Sequence, residues 1–226
     1  MTQILLVRHG QASFGAGNYD VLSPLGERQA QIAGEHLRKL GLRFDAVVSG
    51  SLQRQRHTAE LAGFAAPTID EAFNEYPFEA ILAAYLPVVG RRHPELGIQD
   101  GSFQTDRRRF QAAFEKALGL WLEAAEHDSA TPIEEWRGFQ ARVVAGLERL
   151  ALPGREQIVV FTSGGVIAVA LQAALGISDA TTFALNWRIA NASLHRLKRN
   201  KQGLMALGYN DIAHLELLGR EVVTYR

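Results

Sequence analysis

The chain alternates short apolar runs with helical stripes. Ile4-Leu5-Leu6-Val7 is a partly β-branched run that stops abruptly at Arg8-His9-Gly10. It reads as a buried parallel strand with a polar end. Residues 11–22 contain Gly15, Gly17, Asn18 and Asp20 and read as a loop. Ser23-Pro24 then starts a helix, with serine as N-cap and proline at the first helical position. Ala33, Leu37 and Leu40 form its apolar stripe, opposite Glu27, Arg28, Glu35, Arg38 and Lys39, and Gly41 stops it. Asp45 to Ser49 is a second strand, which Gly50 and Ser51 turn into a helix running to about Gly63.

Residues 64–132 are less regular, broken by Pro67, Pro77, Pro87 and Pro94. Within them, Phe103, Phe110, Phe114, Ala117 and Trp121 predict one helix. Residues 133–150 give a strong helix with Trp136, Gln140, Val143, Leu147 and Leu150 near one face. Ile158 to Phe161 is the next central strand, and Gly165 to Leu175 an almost wholly apolar, buried helix. Ala192 to Leu197 and Leu204 to Leu207 flank a hairpin turn at residues 199–203. The order predicts an α/β fold: a three-layer sandwich with a mostly parallel central sheet and an antiparallel edge. It also predicts a single domain over residues 1–226, with an irregular, partly helical insertion at about 70–130.

The 226 residues include 24 Lys+Arg and 24 Asp+Glu, so net charge supports neither a general nucleic-acid nor a membrane-surface partner. With no cysteine, disulfides and thiolate metal sites are absent. No apolar stretch approaches membrane-spanning length, and no leader precedes the first strand. A soluble, unprocessed cytoplasmic protein is the expectation. No histidine pair has metal-ligand spacing with a carboxylate, so no obligatory metal or other cofactor is expected.

Open α/β sheets bind ligands beyond the carboxyl ends of their strands. Here one strand ends in Arg8 and His9. Another ends in Ser49 and Ser51, with Arg54 one turn into the next helix, and a third ends in Thr162 and Ser163. Asn74 and Glu75 follow apolar Phe73 as a fourth contributor. Two guanidinium groups, an imidazole and a carboxylate suit a phosphoryl group. Arginine makes paired, charge-assisted bonds to phosphate. Neutral imidazole is a nucleophile near neutral pH. A carboxylic acid can protonate a leaving alcohol and then take a proton from water. The expected chemistry transfers a phosphoryl group to His9 and then to water. The expected partners are a small phosphorylated molecule, phosphate or a similar anion.

These segments resemble the histidine phosphatase superfamily, the phosphoglycerate mutase-like family. Val7-Arg8-His9-Gly10-Gln11-Ala12 resembles its arginine-histidine-glycine signature, in which the histidine accepts the phosphoryl group. Leu22 to Ala30 resembles the opening of its first helix, and Ser51 to Glu60 its second arginine motif, which makes Arg54 the phosphate ligand and Arg56 an extra basic residue. Phe73-Asn74-Glu75 is similar to the segment that supplies the acid. Asn191-Ala192-Ser193 and Tyr209 to Leu215 resemble late segments. The resemblance implies catalytic roles for His9 and Glu75, and substrate binding by Arg8, Arg54, Gln11 and Gly164; Ser163, at the end of its strand, is a further candidate to bind substrate.

The likeness fails where the family has histidine-glycine after the strand at 158–161; here Ser163-Gly164-Gly165 stands instead. Serine donates one hydrogen bond but carries no positive charge. Losing one such donor typically costs on the order of 100-fold to 1000-fold in rate. In an otherwise intact pocket, Ser163→His is expected to raise activity several-fold. A fall would mean surroundings rebuilt around serine, with His214 or a water in the gap. The family also often has asparagine six residues past the histidine, where Gly15 stands; Asn18 is the candidate to compensate.

Plainer readings stand beside these. His9 can be a strand-end histidine with a structural bond, and Arg8 and Arg54 surface ion-pair partners. Glu71 and Glu79 compete with Glu75. Ser163 can be a small turn residue, or a covalent nucleophile, though its flanks lack the glycine-x-serine-x-glycine pattern. Arg107-Arg108-Arg109 suits either a second anion or a solvated helix face. His36, His93, His127 and His195 read as surface or local packing residues, His57 as a helix-flank residue. The aromatic residues from Phe103 to Trp136 read as core. Two other functions remain open: a phosphate-ligand binding or regulatory module with little catalysis, and a phosphoglycerate mutase-like phosphoryl transferase.

Overall fold

The computed structural model describes residues 1–13, 20–127, 129–151 and 154–225, without the side chains of Gln104 and Arg107. Gly15 and Asn18 lie outside the described residues. The chain divides into two compact units, Met1–Glu75 with Arg142–Arg226, and Tyr76–Ala141.

The first unit is built on a six-stranded sheet. Its strands are β1 (Thr2–Arg8), β2 (Ala46–Ser49), β3 (Thr68–Ile69), β4 (Gln157–Thr162), β5 (Leu194–Asn200) and β6 (Gly203–Asp211). Their order is β3-β2-β4-β1-β5-β6. β1, β2, β3 and β4 run parallel, and β5 is antiparallel to both β1 and β6. This is the mostly parallel sheet with an antiparallel edge that the sequence predicts. The two central strands, β1 and β4, are buried along almost their whole length, as continuous apolar runs require.

Helices cover both faces. Leu5, Val7, Val159 and Phe161 pack with Leu37 of α1 (Pro24–Lys39) and Ala59 of α2 (Gln53–Leu61). Side chains alternate along a strand, so Ile4, Leu6, Ile158 and Val160, also buried, face the other way. After α3 (Phe78–Arg92), α4 (Arg107–Leu122) and α5 (Trp136–Leu150), the chain enters α6 (Gly164–Leu175), which packs against β1 and β6. A seventh helix, α7 (Asp179–Asn186), and a short α8 (Ala213–Glu216) complete the unit.

Ser23 caps α1 by accepting from the Gly26 amide at 3.0 Å, with Pro24 in the first helical position. Gly41 follows that helix in the left-handed region at φ 67°. The hairpin turn narrows to Lys201-Gln202, because both flanking strands extend further than their apolar cores.

The second unit contains α3 and α4, where the sequence predicts only one helix. Pro87 lies inside α3. Ile81, Ala84, Tyr85, Val88 and Val89 are buried at helical spacing, and that face overrides the proline signal. Phe103, Phe114, Trp121 and Trp136 are core residues. Trp121 donates its indole N–H to the Glu134 carbonyl at 2.8 Å. Arg108 and Arg109 begin α4, where their backbone amides bond Asp106; Arg107 is described only as backbone.

Candidate active site

The polar ends of β1, β2 and β4 lie side by side, because β4 pairs with both neighbours in parallel register. His9 follows β1 and is 4% exposed. Its backbone amide donates to the Thr162 carbonyl at 2.9 Å. Its carbonyl accepts from the Ala192 amide and from Asn191 Nδ2, each at 3.2 Å. Asn191 is in turn held by Thr224 Oγ1 at 2.9 Å. The Gly10 amide donates to Thr58 Oγ1 on α2 at 3.1 Å. The His9 amide, the His9 carbonyl and the Gly10 amide are thus anchored to β4, the loop before β5 and α2 respectively.

Gly10 is required by a close approach. A Cβ there would collide with the Gly26 carbonyl group, and a Cβ on Gly26 with the backbone of Gln11. The start of α1 is thus pressed against the loop after His9. Gln11 belongs to this contact. Its amide donates to Gln29 Oε1 and its side-chain oxygen accepts from Ser23 Oγ, both at 2.8 Å.

The imidazole is oriented at both nitrogens. Nδ1 lies 2.7 Å from the Gly10 carbonyl, which only accepts, so Nδ1 carries the proton. Nε2 is left with the lone pair and accepts from Arg54 Nε at 3.2 Å. Burial and the charges of Arg54 and Arg8 hold the ring well below the usual imidazole range, against a smaller upward pull from the Gly10 carbonyl. His9 is neutral at physiological pH with its unprotonated nitrogen facing a guanidinium.

Arg54 is buried on α2 and Arg56 is exposed. Arg54 Nη1 bonds Asp20 Oδ1 at 2.8 Å. The same carboxylate accepts from the Gln53 amide at 2.8 Å, so Asp20 holds both the start of α2 and its arginine. Arg8 sends Nη1 to the Ile189 and Tyr225 carbonyls. Its Nε lies 3.6 Å from where a Cβ on Gly164 would stand, which sets it beside the start of α6.

Ser163 and Gly164 are fully buried where β4 gives way to α6. Glu75 Oε2 accepts from the Gly165 amide at 3.1 Å, at the N-terminus of the same helix. Glu71 and Glu79 are exposed. Asn74, beside Glu75, holds the start of the α2 segment: its Oδ1 accepts from the Ser51 amide at 2.7 Å and its Nδ2 donates to Ser51 Oγ at 2.9 Å.

His214 serves elsewhere. Its Nε2–H donates to the Ala192 carbonyl at 3.0 Å, and its ring stacks on His36 with centroids 5.0 Å apart. The side chain bonded to Ser163 is Gln55. Sequence reasoning did not single out Gln55, Thr58, Asp20 or Gln29. Gln55, Thr58 and Gln29 lie within the segments that resemble the family's, but their signal is a hydrogen bond to a group distant in sequence. His195, read as a surface or packing residue, is fully buried. It donates through Nε2–H to Ser193 Oγ at 2.9 Å and accepts the Asn210 amide at Nδ1 at 3.2 Å.

The arrangement is a neutral imidazole backed by arginine, next to a helix N-terminus that carries a hydroxyl and a carboxylate. The profile of the histidine phosphatase superfamily (branch 1) matches residues 4–96 and 95–212. The chain belongs to that superfamily. Among curated relatives it is 29% identical over 128 residues to the mitochondrial serine/threonine-protein phosphatase PGAM5 of Xenopus laevis, covering 56% of this chain and 45% of that protein. It is 38% identical over 65 residues to the broad-specificity phosphatase YOR283W of Saccharomyces cerevisiae, covering 26% and 28%. The chain thus spans under half the length of these relatives. A putative alpha-ribazole-5'-P phosphatase from Escherichia coli shares the fold with TM-score 0.65 at 18% identity, over 94% of this chain and 98% of that one. A phosphoserine phosphatase mutant from Entamoeba histolytica, in complex with phosphoserine, does so with TM-score 0.61 at 17% identity, over 95% and 100%.

Proposed function

We propose that this superfamily member is a phosphoric monoester hydrolase that works through phosphohistidine at His9. One observation carries the reading: Nδ1 is committed to the Gly10 carbonyl, which leaves the Nε2 lone pair facing Arg54.

A phosphate monoester enters with its negative oxygens toward Arg54, Arg8 and the start of α6, where cations and helix-terminal amides favour anions. His9 Nε2 attacks phosphorus and the bond to the leaving oxygen breaks. Glu75 supplies the proton that makes the leaving group a neutral alcohol. Water then attacks the phosphoryl group, its proton passes to Glu75, and the Nε2–P bond breaks to release inorganic phosphate. Ser163 donates to the phosphoryl oxygens, and the Gly10 carbonyl stabilises the ring's developing positive charge through Nδ1–H. Gln11 acts indirectly, by fixing the loop after His9 to Ser23.

The substrate class is a small phosphorylated molecule. A phosphoserine complex among the structural neighbours supports that choice. The test is turnover of a generic aryl phosphate by the parent and by His9→Ala. Loss of release in the variant is expected; equal release by both would overturn the reading.

A further inference from the structure

Gln55 is the third residue of α2 and is completely buried. Its Nε2 lies 2.9 Å from the Phe73 carbonyl and 2.8 Å from Ser163 Oγ. A carbonyl can only accept, which fixes the amide with its NH2 group toward both partners. One N–H goes to Phe73, two residues before Glu75, and the other to Ser163. Ser163 Oγ is therefore the acceptor in this pair. Its own proton must be donated elsewhere, and among the described residues no acceptor takes it. Gln55 Oε1 is buried without a partner. Gly50 makes room for this amide: a Cβ there would overlap Oε1.

From this geometry we infer that Gln55 and Ser163 form one donor unit, in which Gln55 occupies the space a histidine at 163 would need and turns the serine hydroxyl into a committed donor to the phosphoryl group. The inference rests on the hydrolase reading above. Gln55 is a positioning residue, acting through Ser163. The cost of the pair is visible in Oε1, an unsatisfied buried acceptor of a kind that native proteins seldom keep. An imidazole on the Ser163 Cβ extends past the present hydroxyl and runs into the Gln55 amide in this rotamer. Ser163→His by itself is therefore predicted to lower activity, contrary to the expectation for an otherwise intact pocket.

Two sets of variants test the unit by kcat and KM with an aryl phosphate. The first is a double-mutant cycle of Gln55→Met and Ser163→Ala. Methionine keeps the volume and removes both N–H groups, while the Phe73 carbonyl retains its bond from Thr162 Oγ1 at 2.7 Å. Each single change is expected to lower kcat about tenfold or more, for one lost donor to a charged group. The double variant should be no worse than the poorer single. The second set is Ser163→His with and without Gln55→Ala. The single change should depress kcat, and the added Gln55→Ala should restore it at least to the parent level.

Losses that multiply in the cycle, or a Ser163→His enzyme faster than the parent while Gln55 is present, would overturn the pairing. Affinity for inorganic phosphate, measured by calorimetry in the same proteins, repeats the cycle without chemistry and must show the same non-additivity. The two readings fail differently. Turnover that His9→Ala leaves unchanged overturns the hydrolase reading, whereas His9-dependent turnover with multiplicative losses overturns only the donor unit.

Discussion

Arg54 Nε meets His9 Nε2 at 3.2 Å, with the imidazole's other nitrogen tied to its neighbour's carbonyl at 2.7 Å. An arginine at this nitrogen does two things. It disfavours protonation of the ring, and in the proposed mechanism it holds a cation where phosphoryl oxygens arrive when Nε2 bonds phosphorus. The proposed nucleophile and its counter-charge are placed by one contact.

A pH profile follows. The proposed nucleophile is the neutral ring, and the folded protein holds that form well below the usual imidazole range. As pH falls through about 6.5, an ordinary histidine would protonate and rate would drop. Here single-turnover phosphorylation should keep its rate through that point, with any histidine-dependent acid limb lying lower. A limb centred at the ordinary value would show that the ring is not shielded.

Asp20 has no place in the chemistry, yet it holds Arg54 Nη1 at 2.8 Å while binding the start of α2. Asp20→Ala should lower kcat/KM about ten- to a hundredfold, the range for losing a hydrogen bond to a charged group. Asp20→Glu should recover part of the loss. An unchanged kcat/KM would mean that Arg54 needs no anchor.

Gly10→Ala tests the backbone contact with Gly26, which cannot yield as a flexible side chain would. A cost of about 1–3 kcal/mol is expected from overpacking. The change should appear as a lowered Tm together with slower turnover, because the displaced residue adjoins His9. A variant as stable and active as the parent would contradict the geometry.

Buried neutral histidines also set an acid limit on stability. His195 is lowered to about 3 and His214 to about 4, both chiefly by burial. The unfolded chain protonates near 6.5 and the native state does not, so stability must fall as pH drops below that value. At pH 5 each ring removes about 2 kcal/mol. Denaturant midpoints at pH 7.5 and 5 measure this, and a midpoint unmoved by acidification would count against it.

The sheet was legible because its signals are local. Ile4 to Val7 and Ile158 to Phe161 are apolar runs too short for helices, and Ser23-Pro24 is a helix start that needs nothing beyond itself. α3 escaped because Pro87 outweighed a buried stripe that only tertiary packing gives effect. α7 lacks an apolar stripe of comparable strength; Thr182 is its one fully buried residue. At the site, His9, Arg54 and Glu75 could be named from motif order. The parts played by Asp20, Gln55 and Asn191 could not, although Gln55 and Asn191 lie in segments that resemble the family's, because each acts through a hydrogen bond across 33 residues or more. The space beside Ser163 shows the same limit: Gln55 fills it, and His214 is occupied with Ala192 and His36.

The proposed reaction turns on a covalent bond between phosphorus and His9 Nε2. Rapid quenching in alkali after mixing with a phosphate monoester, followed by peptide mass analysis, reads it directly. An acid-labile phosphoryl group on the peptide containing His9, absent from His9→Ala, is the predicted result. Sustained, enzyme-dependent release of phosphate with no phosphoryl group ever trapped on that peptide, and none lost in the variant, would contradict it.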